Sequence, residues 1–266
     1  MRQERRKLRR RFRRLTPVLL HGVDFSGGAD GGRGKIRVVR REAGAGSAAI
    51  EVLGAMDRRE LLDTILHGPS SALWRIDAPF GLPLETLEAH GLEASWIESA
   101  RWMRGFGSPR EWRTALRDRS RREPRRLCDR ASSTPMAPMN LRVFKQTWSL
   151  VCEILLPLAE AGVRIEPVHA GDRGPAVAEG CPASALRLRE WPARGYKGRG
   201  EPPRAVRREI VARLAEEWRG VATISRSVAD AAIEDEEGDL LDAMLLVADP
   251  WQGPVPACGC VEAWVY

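Results

Sequence analysis

Five carboxylates in this chain stand where the backbone is made to stop or turn. Asp24 closes the apolar run Val18-Leu19-Leu20-His21-Gly22-Val23 and is followed by Phe25-Ser26-Gly27-Gly28. Asp77 closes Ala72-Leu73-Trp74-Arg75-Ile76 and is followed by Ala78-Pro79-Phe80-Gly81. Glu179 precedes Gly180-Cys181-Pro182, and Asp239 and Asp242 lie three apart in Asp239-Leu240-Leu241-Asp242-Ala243-Met244. A buried strand reads as a continuous apolar run, and glycine or proline after it leaves the last side chain at the tip. Adjacent strands are ~4.8 Å apart, so Asp24 and Asp77 on neighbouring strands can share a cation. Acids three apart lie on one helical face. Hard oxygen donors with open water positions suit magnesium or manganese. Two such ions ~4 Å apart can activate a water and stabilise the leaving oxygen of a phosphodiester. Each acid also has a blander role: Asp77 opening a turn, Asp239 and Asp242 as a cap and a first-turn acid, Glu179 as a strand-end surface residue. Asp24 is the hardest to explain that way.

The elements that must position these acids follow from the pattern around them. Strands are predicted over about Pro17–Phe25, Ile36–Arg40 and Ala48–Leu53, the last two joined by Gly44-Ala45-Gly46. Asp57-Arg58-Arg59-Glu60 has capping-box spacing and starts a helix to about His67, before a fourth strand over Leu73–Asp77. Short links make the first three strands a meander, and the helix crossover lays the fourth parallel to an earlier one. Helices are expected over Glu85–Met103, from Ser108-Pro109-Arg110-Glu111 onward, and over Val143–Ala161, with a loop over Pro124–Asn140. Residues 84–162 therefore form a helical insertion. Strands are expected at Val163–Val168, Ala176–Glu179 and Val261–Tyr266, and helices at Arg204–Trp218 and Gly238–Ala248.

Charge and composition narrow the partners. The chain has 266 residues and a formal charge of +7, but residues 1–14 carry nine Arg or Lys against Glu4, which leaves −1 on the remainder. Residues 1–16 read as a basic, disordered arm and 17–266 as one domain. Eleven arginines fall within 101–130 and eight Arg or Lys within 187–208, two patches able to face a polyanion. Among them Arg110, Arg113 and Arg117 partly share a helical face, and Tyr196-Lys197-Gly198-Arg199 offers cations on a loop; with Ser26 they are the expected substrate contacts. The four histidines, 21, 67, 90 and 169, have no metal spacing, so zinc is not expected. No apolar run nears the ~20 residues of a membrane span, and no apolar segment follows the arginine-rich start as in a secretory signal. The five cysteines are an odd number without a CxxC pair, which suits reduced thiols in a cytoplasm.

Seven motifs in order carry a resemblance. They are Gly-Val-Asp-Phe-Ser-Gly (22–27), Ile-Asp-Ala-Pro-Phe-Gly-Leu-Pro (76–83), Arg-Leu-Cys-Asp-Arg (126–130), Glu-x-x-Pro-Ala (179–183), Tyr-Lys-Gly (196–198), Asp-Leu-Leu-Asp-Ala (239–243) and Glu-Ala-Trp-Val-Tyr (262–266). Together, over about 17–266, the chain resembles a family of predicted RNase H-like nucleases, the domain of unknown function 429. The resemblance implies an RNase H-like mixed five-stranded sheet, order 3-2-1-4-5, flanked by helices. It also implies that Asp24, Asp77, Glu179 and Asp242 are the catalytic acids, with Asp239 beside Asp242, spaced similarly to the acids of Holliday-junction resolvases. Asp24, Asp77, Asp239 and Asp242 would hold the Mg2+ or Mn2+, and nucleic acid would be the substrate. Two other readings stand beside a metal-dependent nuclease. One is a non-catalytic binding module for nucleic acid or protein, which needs no divalent ion. The other is a phosphotransferase of the actin and sugar-kinase type, which needs two copies of a core that shows one strand-1 signature here.

Overall fold

The apolar run that ends at Asp24 becomes the centre of a sheet. The computed structural model describes residues 19–43, 48–119, 123–248 and 255–266. The predicted arm over 1–16 and the Gly44–Gly46 turn lie outside the described residues. Strand β1 (Leu19–Asp24) pairs antiparallel with β2 (Ile36–Glu42), and β2 with β4 (Glu51–Met56). On its other side β1 pairs parallel with β5 (Ala72–Asp77), which pairs parallel with β7 (Arg173–Gly180), and β7 with β6 (Val163–Glu166). The order is β4-β2-β1-β5-β7-β6.

The protein is thus a mixed α/β fold, but the sheet has six strands where five were expected. The sixth is β6, which falls within the strand expected at Val163–Val168 and takes the edge beyond β7 that the five-strand order left open. After it the chain doubles back, with His169 bridging Ile165 antiparallel, so that β7 starts opposite Val163 and runs parallel to β6. Two further expectations fail at strands. The 48–53 strand breaks at Ile50, leaving β3 (Ala48–Ala49) to pair with β8 (Ala222–Thr223) in a small second sheet. The expected C-terminal strand is a short helix over Gly259–Glu262 followed by a single bridge from Val265 to Glu179. Ala263 there has φ +69, which no extended strand residue adopts.

Helix α1 (Arg58–Leu66) starts at the predicted capping box, with Glu60 N–H donating to Asp57 Oδ1 at 2.9 Å and Asp57 N–H to Glu60 Oε2 at 2.8 Å. Residues 78–162 hold helices and no strand among the described residues: α2 (Leu84–Ala89), α3 (Trp96–Arg104), α4 (Pro109–Arg119), α5 (Leu127–Ala131), α6 (Phe144–Leu150) and α7 (Leu156–Glu160). The single helix expected over 85–103 is interrupted at Gly91 (φ +65), and the expected 124–140 loop contains α5. A π turn over Val151–Leu155 joins α6 to α7, just before Pro157, which has no N–H to return to the preceding turn. The remaining helices are α8 (Pro182–Leu188), α9 (Glu201–Glu217), α10 (Arg226–Glu234), α11 (Asp239–Leu246) and α12 (Gly259–Glu262).

The sheet separates two apolar layers. Val23, Val38, Trp74, Ile76 and Val177 face the side of Ile65, Leu150 and Leu155, whereas Leu20 and Val39 face Ile210, Leu241 and Leu245. Alternation along a strand then assigns each tip residue a side. Asp24 has the parity of Leu20, and Asp77 that of Leu73, so both point toward the α11 layer.

Helix α11 lies directly on β1, and Gly22 is why it can. A Cβ at Gly22 would sit 2.0 Å from the Ala243 carbonyl oxygen and 2.9 Å from Leu246 Cβ. Overpacking of this kind costs about 2 kcal/mol. Gly22→Ala is therefore expected to lower the melting temperature by about 4–8 °C. A melt unchanged from wild type would show that α11 does not depend on this close approach.

Candidate metal centre and cleft

The β1–β5 register places Asp24 directly beside Asp77, and α11 brings Asp242 over them. One carboxylate oxygen from each of the three lies within 4.8 Å of the others. Asp24 is 9% exposed and Asp242 2%. Among the described residues, neither Asp24 nor Asp77 has a hydrogen-bond or ion-pair partner for its side chain. Asp242 does: the Tyr196 hydroxyl donates to Oδ1 at 2.8 Å and Lys197 Nζ lies 2.6 Å from Oδ2. Asp239, one turn back, is 3.9 Å from the same ammonium.

The turn after β1 is held from behind. The Gln146 amide donates to the Phe25 carbonyl at 2.6 Å, and Arg58 donates to the carbonyls of Ser26 and Gly28 while it pairs with Glu153. The C-terminal carbonyls of α11 receive two buried arginines, Arg41 at Val247 and Arg75 at Leu246 and Ala248, each favourably placed at the negative end of the helix. At its other end the Leu240 N–H donates to Asp235 Oδ2 at 2.8 Å, so the helix carrying Asp242 is fixed at both ends.

Carboxylates this close favour their protonated forms. Burial first, then the charges of Asp242, Asp239 and Asp77, holds the Asp24 carboxyl well above the usual range, against the pull of Lys197. Burial and the Asp242 charge push Asp77 up to about 8. Burial also raises Asp242, although Lys197 and Tyr196 oppose it. Acids that bind their proton more tightly when folded stabilise the fold below the unfolded carboxyl pKa of ~4, and that stability is lost as pH rises through the folded value. In chelator, the melting temperature is therefore expected to fall between pH 4 and about 8. Asp77→Asn should flatten that slope; a slope identical to wild type would show that Asp77 is not its source.

Glu179 does not join the three acids. It pairs in register with Ile76, one residue short of Asp77, so its side chain points to the opposite face. There its carboxylate accepts from the Phe80 N–H at 2.9 Å and from both terminal nitrogens of Arg126, at 2.7 Å for Nη1 and closer still for Nη2. Arg126 is 1% exposed and also pairs with Asp129. The Glu262 carboxylate, also buried, accepts from the N–H groups of Leu84 and Leu127. Glu179, expected from the resemblance as a catalytic acid, lines the same cleft but stands outside the three-acid cluster, its oxygens bonded to Arg126 and to the Phe80 N–H.

The three acids line a cleft of about 750 Å³, with Asp239 and Ser26 also in its wall. The Ser26 hydroxyl accepts from the Gly28 N–H at 3.3 Å, which shapes the turn after Asp24. The expected arginine wall is elsewhere. Arg113 is tied to Glu123, to the Met139 carbonyl and over the Phe144 ring, and neither it nor Arg110 nor Arg117 lines the cleft. Arg199 pairs with Glu236 on the surface and is likewise outside it. Tyr196 and Lys197 do line it. The buried Arg126 also lines the cleft, whose further cations are Lys35, Arg37 and Arg142. Sequence reasoning missed these three. Arg37 is the residue across from Asp24 on β2, a register that the long link over residues 25–35 does not reveal.

A mixed α/β sheet with acids gathered at two adjacent parallel strand tips and on a buried helix defines the class of this protein. Residues 22–255 match the family model described as Protein of unknown function (DUF429), and the chain belongs to that family. No curated protein and no solved structure matches it. The family match ends before the 262–266 motif.

Proposed function

We propose that this protein is a divalent-metal-dependent phosphodiesterase acting on nucleic acid, with an RNase H-like placement of its acids. The observation that carries the reading is the in-register pair Asp24 and Asp77. Two adjacent carboxylates turned into a cleft, without hydrogen-bond partners among the described residues, and joined by Asp242 within 4.8 Å, are a donor set that fits a hard cation. Asp24, Asp77 and Asp242 would hold magnesium or manganese, with Asp239 at the cleft side. Such an ion, when bound, supplies an activated water and neutralises charge developing on the phosphate. Tyr196 fixes the Asp242 rotamer. Lys35, Arg37 and Arg142 line the walls where a phosphodiester backbone would lie. The five free thiols fit the reducing compartment in which we place the protein, and no helix among the described residues is long and apolar enough to cross a membrane.

The Lys197–Asp242 ion pair favours a second reading, a metal-independent binding module, because it neutralises part of the acid set without a divalent ion. Cleavage assays separate the two. Wild-type protein should be offered single-stranded, duplex, hybrid and branched DNA and RNA with magnesium, with manganese and with chelator. Metal-dependent cleavage supports the nuclease, and metal-independent binding without cleavage supports the module. In either case Arg142→Ala should weaken nucleic-acid affinity and reduce its salt slope by about 1. Arg110→Ala should leave both unchanged, and the reverse pattern would return the substrate to the α4 surface.

A further inference from the structure

We propose that Lys197 is the built-in cation of this site: its ammonium holds Asp242 until a divalent ion displaces it, and the freed side chain then turns into the cleft toward the substrate phosphate. The inference rests on the metal-dependent reading above.

The geometry separates a fixed backbone from a movable head. The backbone around Lys197 is pinned on both sides. Buried Arg207 donates to the carbonyls of Tyr196 and Gly198 at 2.7 and 3.1 Å, and Gly198 N–H donates to the Glu236 carbonyl at 2.7 Å. The Lys197 stem passes Gly238 at the start of α11, where any Cβ would stand 3.2 Å from its Cγ. The side chain as a whole is 49% exposed, while the Asp242 side chain that it meets is 3% exposed. A lysine head on a flexible stem can leave such a partner without any movement of the main chain. Among the described residues the ammonium forms ion pairs with the α11 acids, at 2.6 Å from Asp242 and 3.9 Å from Asp239, and its charge also acts on Asp24. Three carboxylates outnumber the one ammonium, so a doubly charged ion can still gain ligands here by displacing their protons. Its entry nevertheless breaks the ion pair, and the site therefore binds metal more weakly than the acids alone would.

Manganese binding, followed by electron paramagnetic resonance of the free ion, tests this without any turnover. Lys197→Met removes the competing cation and should tighten manganese binding roughly tenfold, the scale of one partly buried ion pair. Lys197→Arg keeps a cation in place and should not tighten it. An unchanged or weaker affinity in Lys197→Met, with wild-type binding intact, overturns this inference and leaves the proposed function standing. No manganese binding by the wild type overturns both. The unaltered protein gives a second measurement that no folding defect can confuse. Labelling of Lys197 by an amine reagent, read by mass spectrometry, should rise when manganese is added. A rate that is unchanged or falls overturns the exchange.

Discussion

Asp24→Asn should melt higher than the wild type in chelator and lose its response to manganese altogether. The asparagine keeps the shape of the side chain and removes one of three charges gathered within 4.8 Å. Asp24 is the acid whose ionisation is opposed by burial and by three neighbouring carboxylates, so relieving it should raise the metal-free melting temperature by about 2–4 °C for each kcal/mol of repulsion removed. The same change replaces one carboxylate oxygen by an amide nitrogen and removes the negative charge that draws the ion, so the rise in melting temperature that saturating manganese gives the wild type should vanish. Any metal-dependent cleavage should fall by about a thousandfold or more. A variant that still binds manganese as the wild type does would remove Asp24 from the site.

Arg126→Met carries the largest expected loss of stability. It leaves Glu179 and Asp129 buried at 2% and 1% exposure with no countercharge. Breaking a buried pair from one side costs about 3–5 kcal/mol, which corresponds to about 6–20 °C in melting temperature. Adding Glu179→Gln should recover part of it, because the second change removes one of the stranded charges. A loss under about 1 kcal/mol would mean that the network is not the support it looks. Glu179→Gln alone also decides between two roles. With its oxygens on Arg126, the variant should keep its manganese response; a ligand at the metal would lose it.

What the sequence disclosed and what it hid divide along physical lines. Asp24 and Asp77 were legible because each ends a buried apolar run at a chain-breaking residue, and because a helix crossover makes two strands parallel neighbours. Asp242 was legible by its place on an apolar helix. Glu179 has the same local signature as Asp77, but which face it shows depends on inter-strand register, and a one-residue offset reverses the answer. No pattern within β7 reveals that Arg126 comes to meet it. The arginines of α4 were overvalued because helical spacing shows which residues share a face, not which way the face is turned. The final strand failed for a related reason: an apolar, alternating segment reads as a strand until the positive φ at Ala263 is known.

The close seat of α11 on Gly22 has a consequence for when the protein can act. Asp24 and Asp77 come from the early part of the chain and Asp242 from near its far end, so their meeting closes one of the longest loops in the fold. During synthesis the first two acids can be in register long before the third has left the ribosome. The complete donor set is then the last thing to be made, and a half-finished, proteolysed or misfolded chain carries only part of it. On the proposed metal-dependent reading, such a protein acts only once it is whole, and its manganese affinity would measure how much of it has folded.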